Sequence, residues 1–192
     1  MAAGLIAIFS AMGLNIYNIW DDGRAAETAA QTLTLLTERI GERRTEKNKT
    51  TAGFTPRPDD TDEAEGVEIG GVSYLGVMNI PALGLSLPVD SAWSYPKLRN
   101  SPCRYEGSIY DNTLVIAAHN YKSHFGNISV LVGGDAIILT DADGVEHNYS
   151  VVSISEVMPT DVGDVVNNGY DLTLFTCTYS GQARVVVKCM RT

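Results

Sequence analysis

Along this chain the spacing of apolar residues changes three times. Residues 1–20, MAAGLIAIFSAMGLNIYNIW, contain no charged side chain and are mostly apolar. As a helix such a run spans about 30 Å, close to the hydrocarbon thickness of a bilayer. Tyr17 and Trp20 stand at its far end, where aromatic residues collect at a membrane interface. The spacing therefore predicts an N-terminal membrane anchor over 1–20. The span is barely long enough, as a segment shortened at its start would be. No Lys or Arg precedes it, so flanking charge does not set its orientation, and no Ala-x-Ala cleavage site follows that would mark a leader peptide. From 21 to 47 the run turns polar, while Ala25, Ala26, Ala29, Ala30, Leu33, Leu36 and Ile40 recur near helical spacing behind a capping Asp21 or Asp22. Gly41 weakens that pattern. Residues 48–66, NKTTAGFTPRPDDTDEAEG, have no period and read as a solvated linker. Residues 21–66 together predict a helical stalk and flexible linker that hold the following domain off the surface.

From Val67 onward the period shortens to that of strands. The apolar runs SYLGVMNI, LGLSLPVD, TLVIAAH, DAIILTD, HNYSVVSISEV, DLTLFTC and ARVVVKC are separated by turn pairs such as Gly133-Gly134, Asp143-Gly144, Asn168-Gly169 and Ser180-Gly181. Many short strands with little helical periodicity predict an all-β barrel or sandwich over 67–192, with one helical turn near 123–131.

Composition narrows the picture. The chain has 192 residues, enough for one domain and an appendage, and 44% of them are hydrophobic, as in a folded protein. Its 14 Lys+Arg against 23 Asp+Glu leave a formal charge of −9, the wrong sign for a nucleic-acid binder, which needs clustered cations for phosphate. Three cysteines, Cys103, Cys177 and Cys189, form no Cys-x-x-Cys pair, so no structural zinc site is expected. An odd count leaves at least one thiol unpaired within the chain.

Cys177 is the thiol with chemistry around it. A free cysteine is most often a small buried hydrophobe. If the chain folds back as a hairpin about Ser180-Gly181, however, opposed residues have numbers that sum to a constant, and Cys177 faces Arg184 across the ladder. A guanidinium beside a thiol favours the thiolate and can hydrogen-bond an oxyanion. Taken alone, Arg184 reads more readily as an exposed edge charge. His119 closes the apolar strand TLVIAAH, where the chain leaves the barrel wall and a histidine is placed to serve as acid or base, and His124, five residues on, competes for that role. His147 follows the Asp143-Gly144 turn and reads as a solvated hairpin residue.

The segment Thr173-Leu174-Phe175-Thr176-Cys177 matches the TLxTC signature of sortases, the cysteine transpeptidases of Gram-positive cell envelopes. Arg184 stands at the offset of their functional arginine, and Ala118-His119-Asn120 resembles their histidine segment at the end of the fourth barrel strand. Leu75–Pro81 and Leu85–Val89 look like the family's first two strands, so the resemblance covers about residues 72–191. It implies an eight-stranded β-barrel with short helices, preceded by an N-terminal helix. It further implies catalytic His119, Cys177 and Arg184, with Thr176 and Asn120 as substrate contacts, and no metal or cofactor. The implied substrates are secreted proteins with a C-terminal LPxTG-like sorting signal. The implied acceptor is an amine such as a peptidoglycan precursor or a pilin lysine, and the implied setting is the cell membrane, with the catalytic domain outside.

Departures from the family pattern refine this. Ala118 stands where a glycine is common, and SAWSYPKLRNSPCRYEGS (91–108) is atypical, which points to a groove wall that reads its substrate differently. The stretch before DLTLFTC is too short for the long helix of class B, and no apolar segment follows Thr192 as in class C, which leaves classes A, D and E. Asp161 and Asp164 lie near a loop that binds calcium in some class A enzymes, and read here as solvated acids. Cys103 and Cys189 pair in one reading and are buried and reduced in the other; the apolar strand around Cys189 favours the second. Two other functions fit the same residues: a cysteine endopeptidase that passes its thioester to water, and a non-catalytic barrel that binds envelope ligands.

Overall fold

The computed structural model describes residues 2–50 and 66–192. Most of the expected linker, 48–66, lies outside the described residues. Helix α1, Ala2–Thr50, is continuous. Nine strands follow: β1 Val67–Ile69, β2 Val72–Ile80, β3 Leu85–Asp90, β4 Cys103–Glu106, β5 Leu114–Ala117, β6 Ala136–Asp141, β7 Glu146–Val157, β8 Leu172–Cys177 and β9 Arg184–Arg191. A one-turn helix, α2 (Tyr95–Leu98), lies between β3 and β4, started by the Ser94 hydroxyl, which accepts from Lys97 N, with Pro96 in its first turn.

The strand order β1-β2-β3-β4-β5-β8-β9-β7-β6 closes through β2–β6, so β2 to β9 form an eight-stranded barrel and β1 extends one edge of β2. Closure requires β6 to come close at Gly76, where a Cβ would sit 2.0 Å from Thr140 O. Alternation fills the interior: Leu114 and Ile116 of β5, Leu172 and Leu174 of β8, and Val185, Val187 and Cys189 of β9 point into one core with Met78, Leu139 and Tyr149. The opposite face of these three strands is also covered, because Val115 of β5, Phe175 of β8 and Val186 of β9 pack with Val165 and Val166 of the β7–β8 connection.

Helix α1 lies along the barrel. Asp21, Ala25, Ala29, Leu36 and Ile40 form its buried stripe, and Leu36 and Ile40 pack on Val67, Tyr74 and Val77. Residues 21–47, the expected stalk, are thus docked on the domain. N-terminal to this stripe, Phe9, Leu14, Ile16, Ile19 and Trp20 are exposed. Among the described residues, no helix is long and apolar enough to cross a membrane.

All three cysteines are free, and Cys103 and Cys189 are buried. His147 is the clear correction: it is buried, not solvated. β7 alternates inward at His147, Tyr149 and Val151, and the imidazole bonds Asp141 Oδ2 at 2.8 Å through Nε2 and Arg191 through Nδ1.

Candidate active site

β5 and β8 run parallel, with Leu114 beside Leu172 and each later pair keeping the same offset to Ala117 beside Phe175. Continued past the strand ends, that register sets Ala118 beside Thr176, His119 beside Cys177 and Asn120 beside Thr178. Three hydrogen bonds hold the extension: Ala118 N donates to Phe175 O at 3.1 Å, Thr176 Oγ1 donates to Ala118 O at 2.8 Å, and Asn120 Nδ2 donates to Thr178 O at 3.3 Å. On the other side of β8, Cys177 pairs with Arg184 of β9. The order across the wall is therefore His119, Cys177, Arg184, on adjacent strands about 5 Å apart.

The side chains also share a face. Ala118 belongs to the barrel core and Thr176 is buried, so the next residue in each strand points outward by alternation, as Arg184 does beside inward Val185. The three groups accordingly lie in a groove on the outer face of the barrel wall, and not in its mouth. The groove encloses about 230 Å³, and His119, Cys177 and Arg184 all line it. Cys177 is half-buried. The hairpin beyond it has four loop residues rather than two: Thr178 N donates to Ala183 O, and Gly181, at φ +72°, turns the chain. An even loop length preserves the register, so Arg184 still faces Cys177. Its Nη1 donates to Gly181 O and Ala183 O, which ties the guanidinium to its own turn.

His119 is half-buried. Burial holds its affinity for a proton below the ordinary value, with Arg99 acting in the same direction and Asp21 against it. Its ring packs on Tyr121, with centroids 4.9 Å apart. His124 is fully buried, and neither ring nitrogen has a hydrogen-bond partner among the described residues. Burial, with His119 nearby, drives its pKa down to about 4. It does not line the groove. Thr176 lines the groove, but its hydroxyl proton is committed to Ala118 O; Asn120 bridges the two loops from outside the lining. Asp161 lines the far wall and accepts from Met158 N, while Asp164 pairs with Lys188 at 3.6 Å.

The sequence reading missed the aromatic wall. Trp93 contacts Tyr95 and Tyr105 at 5.1 and 5.6 Å between centroids, and Tyr105 contacts Phe175 at 5.2 Å, each edge to face. Met158, Val162, Val165 and Val166 form the facing wall. The signal was three aromatic residues at 93, 95 and 105, inside the stretch already set apart as atypical. The groove can thus hold an extended peptide between an aromatic and an aliphatic wall, with a thiol, an imidazole and a guanidinium at its floor.

A family model described as Sortase domain matches residues 78–192. None of the curated proteins matches. Among solved structures, a Clostridium perfringens sortase D5 transpeptidase superposes with a TM-score of 0.62 at 22% identity, covering 86% of this chain and 99% of that one. A Streptococcus pneumoniae sortase C gives 0.60 at 22% identity, covering 84% and 96%. Sortase C1 from Streptococcus agalactiae gives 0.58 at 24% identity, covering 81% and 89%. At these identities the likeness is one of fold, and it extends to class C enzymes, the class the sequence reading set aside.

Proposed function

We propose that this chain, which belongs to the sortase family of cysteine transpeptidases, uses Cys177, His119 and Arg184 to cut an LPxTG-like sorting signal and join the new carboxyl end to an amine. What supports the reading is that a sulfur nucleophile, an imidazole and a fixed cation line one groove from three adjacent strands. Cys177 passes its thiol proton to His119 as Sγ attacks the scissile carbonyl carbon, and the carbonyl electrons move onto oxygen. Collapse of that oxyanion breaks the C–N bond and leaves a thioester, while the departing amine takes a proton from His119. An incoming amine then attacks the thioester, gives its proton to His119, and releases Cys177. Arg184 stays protonated throughout, so its part is electrostatic. With Nη1 held by the turn, Nε and Nη2 are the donors for the oxyanion or the substrate backbone. Thr176 and Asn120 hold the β5–β8 seam together, and Thr176, which lines the groove, meets substrate through its backbone groups.

The family is associated with the cell envelope. The finer setting we propose is a single-pass anchor over 1–20, a helical segment and linker over 21–66 and an extracellular catalytic barrel over 67–192. The absence of charge in 1–20 and the exposed Phe9, Leu14, Ile16 and Ile19 support it. The substrates are secreted proteins with C-terminal sorting signals, and the acceptor is a peptidoglycan-precursor or pilin amine. Mass spectrometry of the chain incubated with a panel of LPxTG-like peptides should find an acyl adduct on Cys177 that a glycine peptide converts to a ligated product. No adduct with any peptide, or one still formed by Cys177→Ala, refutes the reading; an adduct insensitive to amine favours the endopeptidase.

A further inference from the structure

Helix α1 touches the site's histidine loop directly, although about 100 residues separate them. Asp21 is only 4% exposed. Its carboxylate accepts hydrogen bonds from the Tyr121 hydroxyl at 2.5 Å, from Arg24 Nε at 3.0 Å and from Arg99 Nη2 at 3.2 Å. The neighbouring Asp22 accepts from both the backbone N–H and the hydroxyl of Ser123. Arg24 reaches onward to Asn100 Oδ1 and Arg99 O, so the helix also grips the chain after α2. Both aspartate contacts fall within the segment 119–124, and the Tyr121 ring rests against the His119 imidazole.

We infer that Asp21 is a positioning residue of this active site: through the Tyr121 hydroxyl it holds the loop that presents His119 to Cys177. The inference rests on His119 being the acid–base group of the proposed reaction. A carboxylate this buried is retained at a cost unless it is fully hydrogen-bonded, and here the partners are the loop and two arginines. Burial alone would raise its pKa, but the bonds from Tyr121, Arg24 and Arg99 outweigh that and hold it at about 2, so it is charged at neutral pH. The groups that face His119 are Tyr121 and His124 on its own loop, Asp21 on α1, Arg99 after α2, and Cys177, Arg184 and Asp161 around the groove. Asp21 favours the imidazolium and Arg99 opposes it. Removing the carboxylate charge leaves the cations unbalanced, and His119 then holds its proton less tightly. By this account the helix is a working part of the enzyme and not a cover over its groove.

The test uses the full chain in detergent micelles with ¹³C-labelled histidine, the His119 signal being assigned from His119→Gln. Asp21→Asn keeps an acceptor for Tyr121 and removes the charge; Tyr121→Phe keeps the ring and removes the link. Asp21→Asn is expected to lower the His119 titration midpoint. Both variants are expected to slow acylation of Cys177 on the order of 10–100-fold, with peptide KM little changed, as for a misplaced catalytic group. A midpoint that does not fall in Asp21→Asn, or an acylation rate within about twofold of the parent in Tyr121→Phe, overturns the proposal. If the parent chain forms no adduct, the reaction assigned above fails, while the His119 midpoint still decides whether Asp21 acts on that imidazole.

Discussion

The seam between β5 and β8 makes a sharp prediction at Thr176. Its hydroxyl is buried and donates to Ala118 O at 2.8 Å, one residue before His119 and Cys177 in their respective strands. Thr176→Val keeps the branched shape and deletes the donor, which leaves a carbonyl facing a methyl group in the barrel wall. Orphaning a buried acceptor costs roughly 1–3 kcal/mol. For a chain of this size each kcal/mol moves the melting temperature by about 2–4 °C, so a loss of about 2 kcal/mol lowers it by about 6 °C. The same bond fixes the height of the imidazole against the sulfur, and a displacement of even ~1 Å can cost a hundredfold in rate. Thr176→Ser retains the hydroxyl and should recover most of both losses. Thermal unfolding by circular dichroism, with Cys177 acylation timed by mass spectrometry, reads the two quantities. If Thr176→Val melts within about 1 °C of the parent and acylates at the parental rate, the bond is incidental and the seam does not set the site.

Other consequences can be checked independently. Arg184→Ala should slow acylation by about 100–1,000-fold, as loss of an oxyanion donor does, with Arg184→Lys recovering only part of the rate. Burial pushes the Cys103 and Cys189 thiols up to about 12, Asp90 adding to the effect at Cys103. Iodoacetamide at pH 8 should therefore label Cys177 alone in the folded chain and all three thiols after denaturation, as counted by intact mass. His124 is neutral in the fold with a pKa near 4, below its unfolded value of about 6.5. The unfolded chain then binds the extra proton first, so stability should fall as the pH drops through 6.5 and level off below 4, by about 3 kcal/mol in all. Urea unfolding at pH 7 and pH 5 should show about 2 kcal/mol of this loss in the parent and much less of it in His124→Phe.

Seven of the eight barrel strands follow from the alternation of apolar residues, because each buries one face or both over at least four residues. β1 and β4 do not: β1 is three residues beside Gly70-Gly71, and β4 is four residues between Pro102 and Gly107, joined to β3 by a single bridge at Asp90 and Cys103. The continuity of α1 was hidden by Gly41, which weakens an isolated helix by about 1 kcal/mol but is carried here by Leu36 and Ile40 docked on the barrel. Cys177 opposite Arg184 was legible because a hairpin is a local structure whose register can be counted. His119 beside Cys177 was not, since parallel pairing between distant strands leaves no local mark. Nor was the docking of Asp21 on Tyr121, for a capping aspartate and a buried one look alike in sequence. His147 was misread for a related reason: a turn signal says where the chain reverses, and not which side of the next strand faces in.

The parallel seam also decides which parts of this chain are free to change. Nothing in it counts the residues of the β7–β8 connection, 158–171, so that connection can grow, shrink or be exchanged with those of relatives while His119 and Cys177 stay level with one another. A single deletion inside β5 or β8 is another matter. It would turn the imidazole or the sulfur to the inner side of the wall, and would silence the enzyme while leaving every one of its chemical groups in the chain. Variation in peptide preference is thus open to loop grafting, and the six-residue strand that ends in Cys177 is the part an engineer must leave at its present length.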